Sequence, residues 1–183
     1  MNFFAIMMFA MALDSKIKEP NYTILQKEKN IEIREYSEYV IARTSVIKDE
    51  EKSDNGMFMI LANYIFGGNK KKESIAMTAP VITKENDESY DMVFFMLDVD
   101  KVDELPNPDS KNVHLEKMNL GKTIAIRFGW WATGWNIRRN RKILESYIEE
   151  NNLEVISEMM VAQYNSPWDW PFLRRNDVIF QIK

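Results

Sequence analysis

The sequence predicts an α+β fold: two similar β-β-α-β-β units, related by a pseudo-two-fold, joined into a distorted antiparallel barrel or curved sheet with two helices. Three observations predict it. Short runs alternating apolar with polar residues recur along the chain, as half-buried strands require. Two longer stretches instead place apolar residues at helical spacing. The order strand, strand, helix, strand, strand occurs on both sides of "DVDKVDELPNPDSKN", a proline- and acid-rich stretch without periodicity. That order reads as an internal duplication, with half-repeats of about 22–97 and 113–183 and residues 98–112 as linker.

The elements follow in order. "YTILQK" and "IEIREY" are short alternating runs separated by the turn-like "EKN", and "YVIARTSVI" (39–47) is a longer strand rich in β-branched residues. Asp54 suits the start of a helix running to about Phe66, with Met57, Leu61, Tyr64 and Ile65 on one stripe and Gly67-Gly68 as its stop. "SIAMTAPVITK" (74–84) reads as a strand with Ile75, Met77, Ala79 and Val81 on one face and Ser74, Ala76, Thr78 and Pro80 on the other. Its small face is expected to let a helix approach the sheet, and Pro80 to bend the strand. "YDMVFFML" closes the first unit. "VHLEKM", "KTIAIRFGW", a helix from about Thr133 to Asn151 carrying Ile137, Leu144 and Ile148, then "EVISEMMVAQYNS" and "DVIFQIK" make the second.

Bulk properties narrow the function classes. The 183 residues are 45% hydrophobic and 28% charged, ordinary values for a globular domain. A net charge of −4 argues against a nucleic-acid partner, which requires a basic face to neutralise phosphates. The absence of cysteine removes disulfides, thiolate metal sites and cysteine nucleophiles, and His114 is the sole histidine. No spacing forces a catalytic pair of acids together, and Gly67-Gly68 follows a helix rather than leading into one, so neither an active site nor phosphate binding is expected. The first thirteen residues, "MNFFAIMMFAMAL", are apolar, uncharged and end in an A-x-A pattern. They read as a signal peptide, giving an exported protein (periplasmic, lumenal or secreted), or otherwise as a disordered N-terminus of a cytoplasmic one. They are too short for a stable transmembrane helix, which needs about 20 residues.

Three segments go beyond pattern. "IEIREYSEYVIA" (31–42), "YIFGGNKKKESIAMTAPV" (64–81) and "YNSPW…PFLRRNDV" (164–178) occur in this order. They resemble the SOUL heme-binding protein family over residues 20–183. The resemblance implies a single domain, similar to the ligand-sensing domain of some bacterial transcription regulators, that binds heme or another tetrapyrrole without a strict axial ligand. It implies a pocket between the first helix, at Asn55, Met59, Ala62 and Asn63, and the loop before the last strand, at Pro167, Trp168, Trp170 and Phe172. With scattered acids, no cysteine and one histidine, no catalytic residue and no metal site are expected.

The chain departs from the family at binding positions. Glu35 stands where some members carry a histidine, and Asn55 and Asn63 stand where some carry basic residues able to pair propionates. The expectation is therefore non-enzymatic binding or transport with weak or no axial ligation. The alternative is a protein-interaction or small-amphiphile-sensing module on the same scaffold. His114 reads as a strand histidine, Lys70-Lys71-Lys72 as a solvated loop, and Arg174-Arg175 as a structural clamp. Trp130, Trp131 and Trp135 read as packing at the start of the second helix or as an apolar interaction patch.

Overall fold

A computed structural model describes residues 17–48, 54–166 and 169–183. The apolar N-terminal run therefore lies outside the described residues, as do Pro167 and Trp168. In chain order the elements are β1 (Tyr22–Glu28), β2 (Ile31–Tyr36), β3 (Glu38–Ile47), α1 (Asp54–Ile65), β4 (Val81–Glu85) and β5 (Ser89–Phe95). They continue with β6 (His114–Asn119), β7 (Lys122–Phe128), α2 (Gly134–Glu150), β8 (Met160–Gln163) and β9 (Asn176–Gln181).

The strands form one antiparallel nine-stranded sheet in the order β1-β2-β7-β9-β8-β4-β5-β3-β6. It is an open, curved sheet with β1 and β6 at its edges. From β2 to β6 the order is a palindrome when β2, β3, β4 and β5 are matched to β6, β7, β8 and β9. The centre of the palindrome is the β4–β8 pair, Ile82 opposite Ala162. Each unit also lends a strand to the other: β2 pairs with β7, and β6 pairs with β3.

Strand alternation sends the side chains to two layers. On one face Val40, Ala42, Met92 and Phe94 meet Met57, Leu61, Tyr64 and Ile65 of α1. On the same face Ile33, Ile124, Ile126, Val178 and Phe180 meet Leu144 and Ile148 of α2. Burial of each such side chain contributes roughly 1.5–3 kcal/mol, so both helices are held chiefly by their apolar stripes. The opposite face gathers Ile41, Ile82, Phe95, Ala125, Ala162 and Ile179 from both units into a third cluster.

Two predicted strands are shorter than their patterns. Residues 74–80 are not a strand; the stretch joins the sheet only from Val81, where β4 (Val81–Glu85) begins. Ile75 N donates to Ile65 O at 2.7 Å, so the chain turns back along the end of α1. Thr78 is buried and its hydroxyl donates to Phe95 O at 2.7 Å, a bond that replaces a regular ladder. The side chains that pack against the α1 cluster are Ile75 and Met77, not the small residues, and Ala76 is exposed. Similarly, only Met160–Gln163 of "EVISEMMVAQYNS" is a strand. Before it, the chain touches the sheet through an isolated Val155–Ile182 bridge, and Ser157 Oγ accepts from Gln181 N at 2.9 Å.

The stretch between the units is packed rather than loose. Val102–Glu104 forms a single 3-10 turn, Leu105 is buried in the α1 cluster, and Tyr64 donates its hydroxyl to Pro106 O at 2.9 Å.

Candidate functional site

α1 differs from an ordinary surface helix. Between Asn55 and Asn69 the sequence carries no charge, so the outer side of α1 is apolar or neutral as well as its inner side. Met57, Leu61, Ala62, Tyr64 and Ile65 are buried, Phe58 and Ile60 are half-buried, and Met59 is 45% exposed. A helix with no charged residue after its first position and a methionine left exposed has an outer side that water alone covers poorly. α2 is the contrast, with charged residues through its exposed face.

The helix ends where glycine permits. Gly67 has φ +101°, and Gly68 N donates to Asn63 O at 2.8 Å, the six-to-one bond that caps a helix C-terminus. A Cβ on Gly68 would stand 2.5 Å from Asn63 Nδ2, so the Asn63 side chain lies directly over that glycine. Among the helix residues that the resemblance implies, Met59 is thus presented outward, Asn63 is exposed but folded over the helix end, and Ala62 faces inward. Asn55 lies in the helix, and its side chain lies outside the described set.

The loop between β8 and β9 is held from within. Asn165 Oδ1 accepts from Arg175 N at 2.6 Å, while Asp169 Oδ2 accepts from Asn165 Nδ2 and from Ser166 N, both at 3.1 Å. Arg175 pairs with Glu19 at 2.8 Å and lies 3.6 Å from the Tyr164 ring centre, which makes it the clamp expected of it. The short turn Pro171–Leu173 then lifts its side chains into solvent: Trp170 is 68% exposed and Phe172 65%. Their rings stack with centroids 6.1 Å apart. Among the described residues no hydrogen bond, ion pair or ring contact ties Met59 or Asn63 to Trp170 or Phe172.

Two further features were not singled out from sequence. The first is a buried charged cluster on the face away from the helices. Arg34, fully buried, donates to Asp177 Oδ2 at 2.8 Å through Nη1 and to Glu32 Oε2 at 2.9 Å through Nε. Tyr36 and Tyr164 adjoin it. Burial pushes the Tyr36 hydroxyl up to about 12 and the Tyr164 hydroxyl well above its ordinary value. Burial works to raise Glu32 as well, but hydrogen bonds from Lys27 and Arg34 and the Arg34 charge outweigh it and hold the carboxyl below its usual value. The signal in the sequence was the charged alternation within "IEIREY", which reads equally well as a solvated face.

The second is an open groove of about 860 Å³ with Lys70, Lys71, Lys101 and Lys117 at its rim and Leu105 and Pro106 in its wall. Two of its lysines are already engaged, Lys70 with Asp109 at 3.0 Å and Lys117 with Glu38 at 2.7 Å. Lys72 joins Lys70 on Asp109 at 2.6 Å, so the lysine run ties the α1 exit to the inter-unit stretch.

The site can be tested for heme against these placements. Met59, Trp170 and Phe172 offer the flat and polarisable surfaces that suit a macrocycle. Among the described residues no group of three His, Cys, Asp or Glu stands close enough to hold a metal ion. Glu35 is exposed on β2, and His114 is exposed at the start of edge strand β6, opposite Arg43. Neither of the two grooves on the described surface is lined by these residues, and of those in the pocket that the resemblance implies only Met59 carries a side-chain donor suited to iron.

Comparison with solved structures returns the same architecture at low identity. The C-terminal domain of EcmrR superposes with a TM-score of 0.65 at 10% identity, covering 88% of this chain and 98% of that one. A hydrolase from Listeria innocua gives a TM-score of 0.56 at 9% identity, covering 96% and 98%. EcmrR in a complex with DNA gives 0.64 at 12% identity, covering 84% of this chain and 57% of that one. Likeness at this level establishes the fold alone. No match is found among curated proteins. A family model described as SOUL heme-binding protein matches residues 17–181, nearly the whole described chain, and the protein belongs to that family.

Proposed function

We propose that this protein binds or carries heme or a related tetrapyrrole without chemical turnover. The ligand lies on the outer side of α1 around Met59, beneath the Trp170–Phe172 turn, with weak or no axial ligation. The observation that carries the reading is the uncharged run from Asn55 to Asn69, which leaves Met59 exposed on an outer face of α1 that bears no charge, in a member of a heme-binding family. When bound, heme supplies an extended aromatic disc with two carboxylates. The protein's part is to cover the disc: Met59 contacts it from the helix, and Trp170 and Phe172 cover it from the loop.

Titration of the purified protein with hemin, read at the Soret band, tests this. A saturable shift at micromolar protein is expected, weakened about tenfold by Met59→Ala or by Trp170→Ala, since loss of one large apolar contact costs on the order of 1.5 kcal/mol. No saturable shift, or one indifferent to both variants, overturns it. A low-spin spectrum with two strong nitrogen ligands would overturn the weak-ligation part.

Glu35, Asn55 and Asn63 favour a second reading, a protein-interaction or amphiphile-sensing module on the same scaffold, because they remove the histidine and the cations that heme would use. It predicts a partner whose capture is unchanged when heme is added or stripped. We further propose export, directed by residues 1–13. N-terminal sequencing of the mature protein tests it, with a start near Leu13 expected and an intact Met1 against it.

A further inference from the structure

One pole of the molecule combines exposed aromatic rings with positive charge in a way that heme binding does not use. Trp130 is 61% exposed and Trp135 63%, with Trp131 beside them at 46%. Large aromatic side chains left this open mark an interaction surface. The tryptophan segment and the loop before β9 are neighbours. The Arg174 guanidinium lies 3.8 Å from the Trp131 ring centre, and Asn176 Nδ2 donates to Trp130 O at 2.8 Å. Leu173, 63% exposed, extends the apolar surface from the loop side.

Charge is arranged around these rings. In the first part of α2 the sequence "GWNIRRNRKIL" has four basic residues and no acid, while "ESYIEE" completes the helix with acids. Trp135, Arg138, Arg139 and Lys142 recur at spacings of three and four, so they share one face of the helix, and all are exposed. The Arg139 guanidinium sits 5.5 Å from the Trp135 ring centre. The protein as a whole carries −4, yet this pole is basic. A negatively charged surface would attract this pole and repel the remainder, which fixes the orientation of approach.

We propose that the Trp130–Trp131–Trp135 pole is a peripheral docking surface for membranes containing anionic lipid. Tryptophan rings favour the headgroup level, where an apolar body and a polar N–H are both accommodated. Arginine and lysine beside them meet lipid phosphates and carboxylates. Attachment is to the surface: among the described residues no helix is long and apolar enough to cross a bilayer.

The test is sedimentation of the full chain with vesicles of phosphatidylcholine alone or with about 30 mol% phosphatidylserine, together with quenching of tryptophan emission by brominated lipid. Binding to the anionic vesicles, with quenching, is expected. It should fall at least about tenfold in Trp130→Ala/Trp135→Ala and in Arg138→Glu/Arg139→Glu, two independent surface changes that separate the apolar part from the electrostatic part. Neither pair belongs to the tetrapyrrole site, so the hemin titration should be unchanged in both, and failure of one reading leaves the other standing. The proposal is overturned by absence of binding, by equal binding to both kinds of vesicle, or by variants that bind like the parent. It is also overturned if the tryptophan pair instead governs self-association or the capture of a single-stranded oligonucleotide.

Discussion

Arg34 keeps a full charge away from water because acceptors converge on it from two strands distant in sequence. Glu32 lies on its own strand and Asp177 on β9, and Tyr36 adds a hydroxyl at 3.3 Å. Such a cluster adds little net stability compared with an apolar core, but removing one member strands the others. Asp177→Ala should therefore destabilise the fold by about 3–5 kcal/mol, measured by urea denaturation; a loss below 1 kcal/mol would show that water reaches Arg34 after all.

The tyrosines of the cluster set a pH limit. Their hydroxyls ionise at higher pH in the fold than in the unfolded chain, so their contribution is complete below about pH 10 and declines as pH rises toward about 12. Denaturation midpoints should fall across that window, and Tyr36→Phe should flatten part of the fall. Glu32 acts at the other end: its contribution is present above its ordinary value of 4.5 and is lost as pH drops through the lower value it has in the fold. The charged alternation of "IEIREY" does not by itself distinguish this cluster from a solvated face. Alternation identifies a strand, but the burial of both its faces depends on Asp177, supplied from the far end of the chain.

Helix ends show what local sequence does decide. Thr133 accepts from Asn136 N and starts α2, and Gly67-Gly68 stops α1, each at the place its residue type predicts. Gly68→Ala should cost on the order of 2–3 kcal/mol, because the new methyl meets the Asn63 carbonyl at 2.6 Å and backbone cannot yield cheaply. Thermal unfolding followed by circular dichroism reads it out, and an unchanged midpoint would contradict this account of the helix end. The strap 74–80 shows the opposite case. Its alternation is real, but Thr78 bonding to Phe95 O and Ile75 bonding to Ile65 O decide its path, and no period records those bonds. For the candidate site, sequence names residues but not their placement. Met59, Trp170 and Phe172 do stand exposed, whereas the inward placement of Ala62 and the use of Asn63 to close the helix are matters of packing.

At the scale of the whole molecule, the exchange of β2 and β6 makes the units interdependent. The third cluster draws Ile41, Ile82, Phe95, Ala125 and Ile179 from both. A fragment ending at residue 112 should accordingly lack a cooperative unfolding transition, and so should its complement, while an equimolar mixture regains one. Dispersed amide signals from either fragment alone would refute this. The same exchange orders events in time. Ile31 pairs at once with Glu28 of β1, but its other neighbour is Ile126, so during synthesis β2 leaves the ribosome on the order of ten seconds before β7. Through that interval Ile31 and Ile33 lack the Ile124, Ile126, Leu144 and Ile148 side chains they are buried with, and a nascent hairpin with a bare apolar face is what a chaperone would meet first.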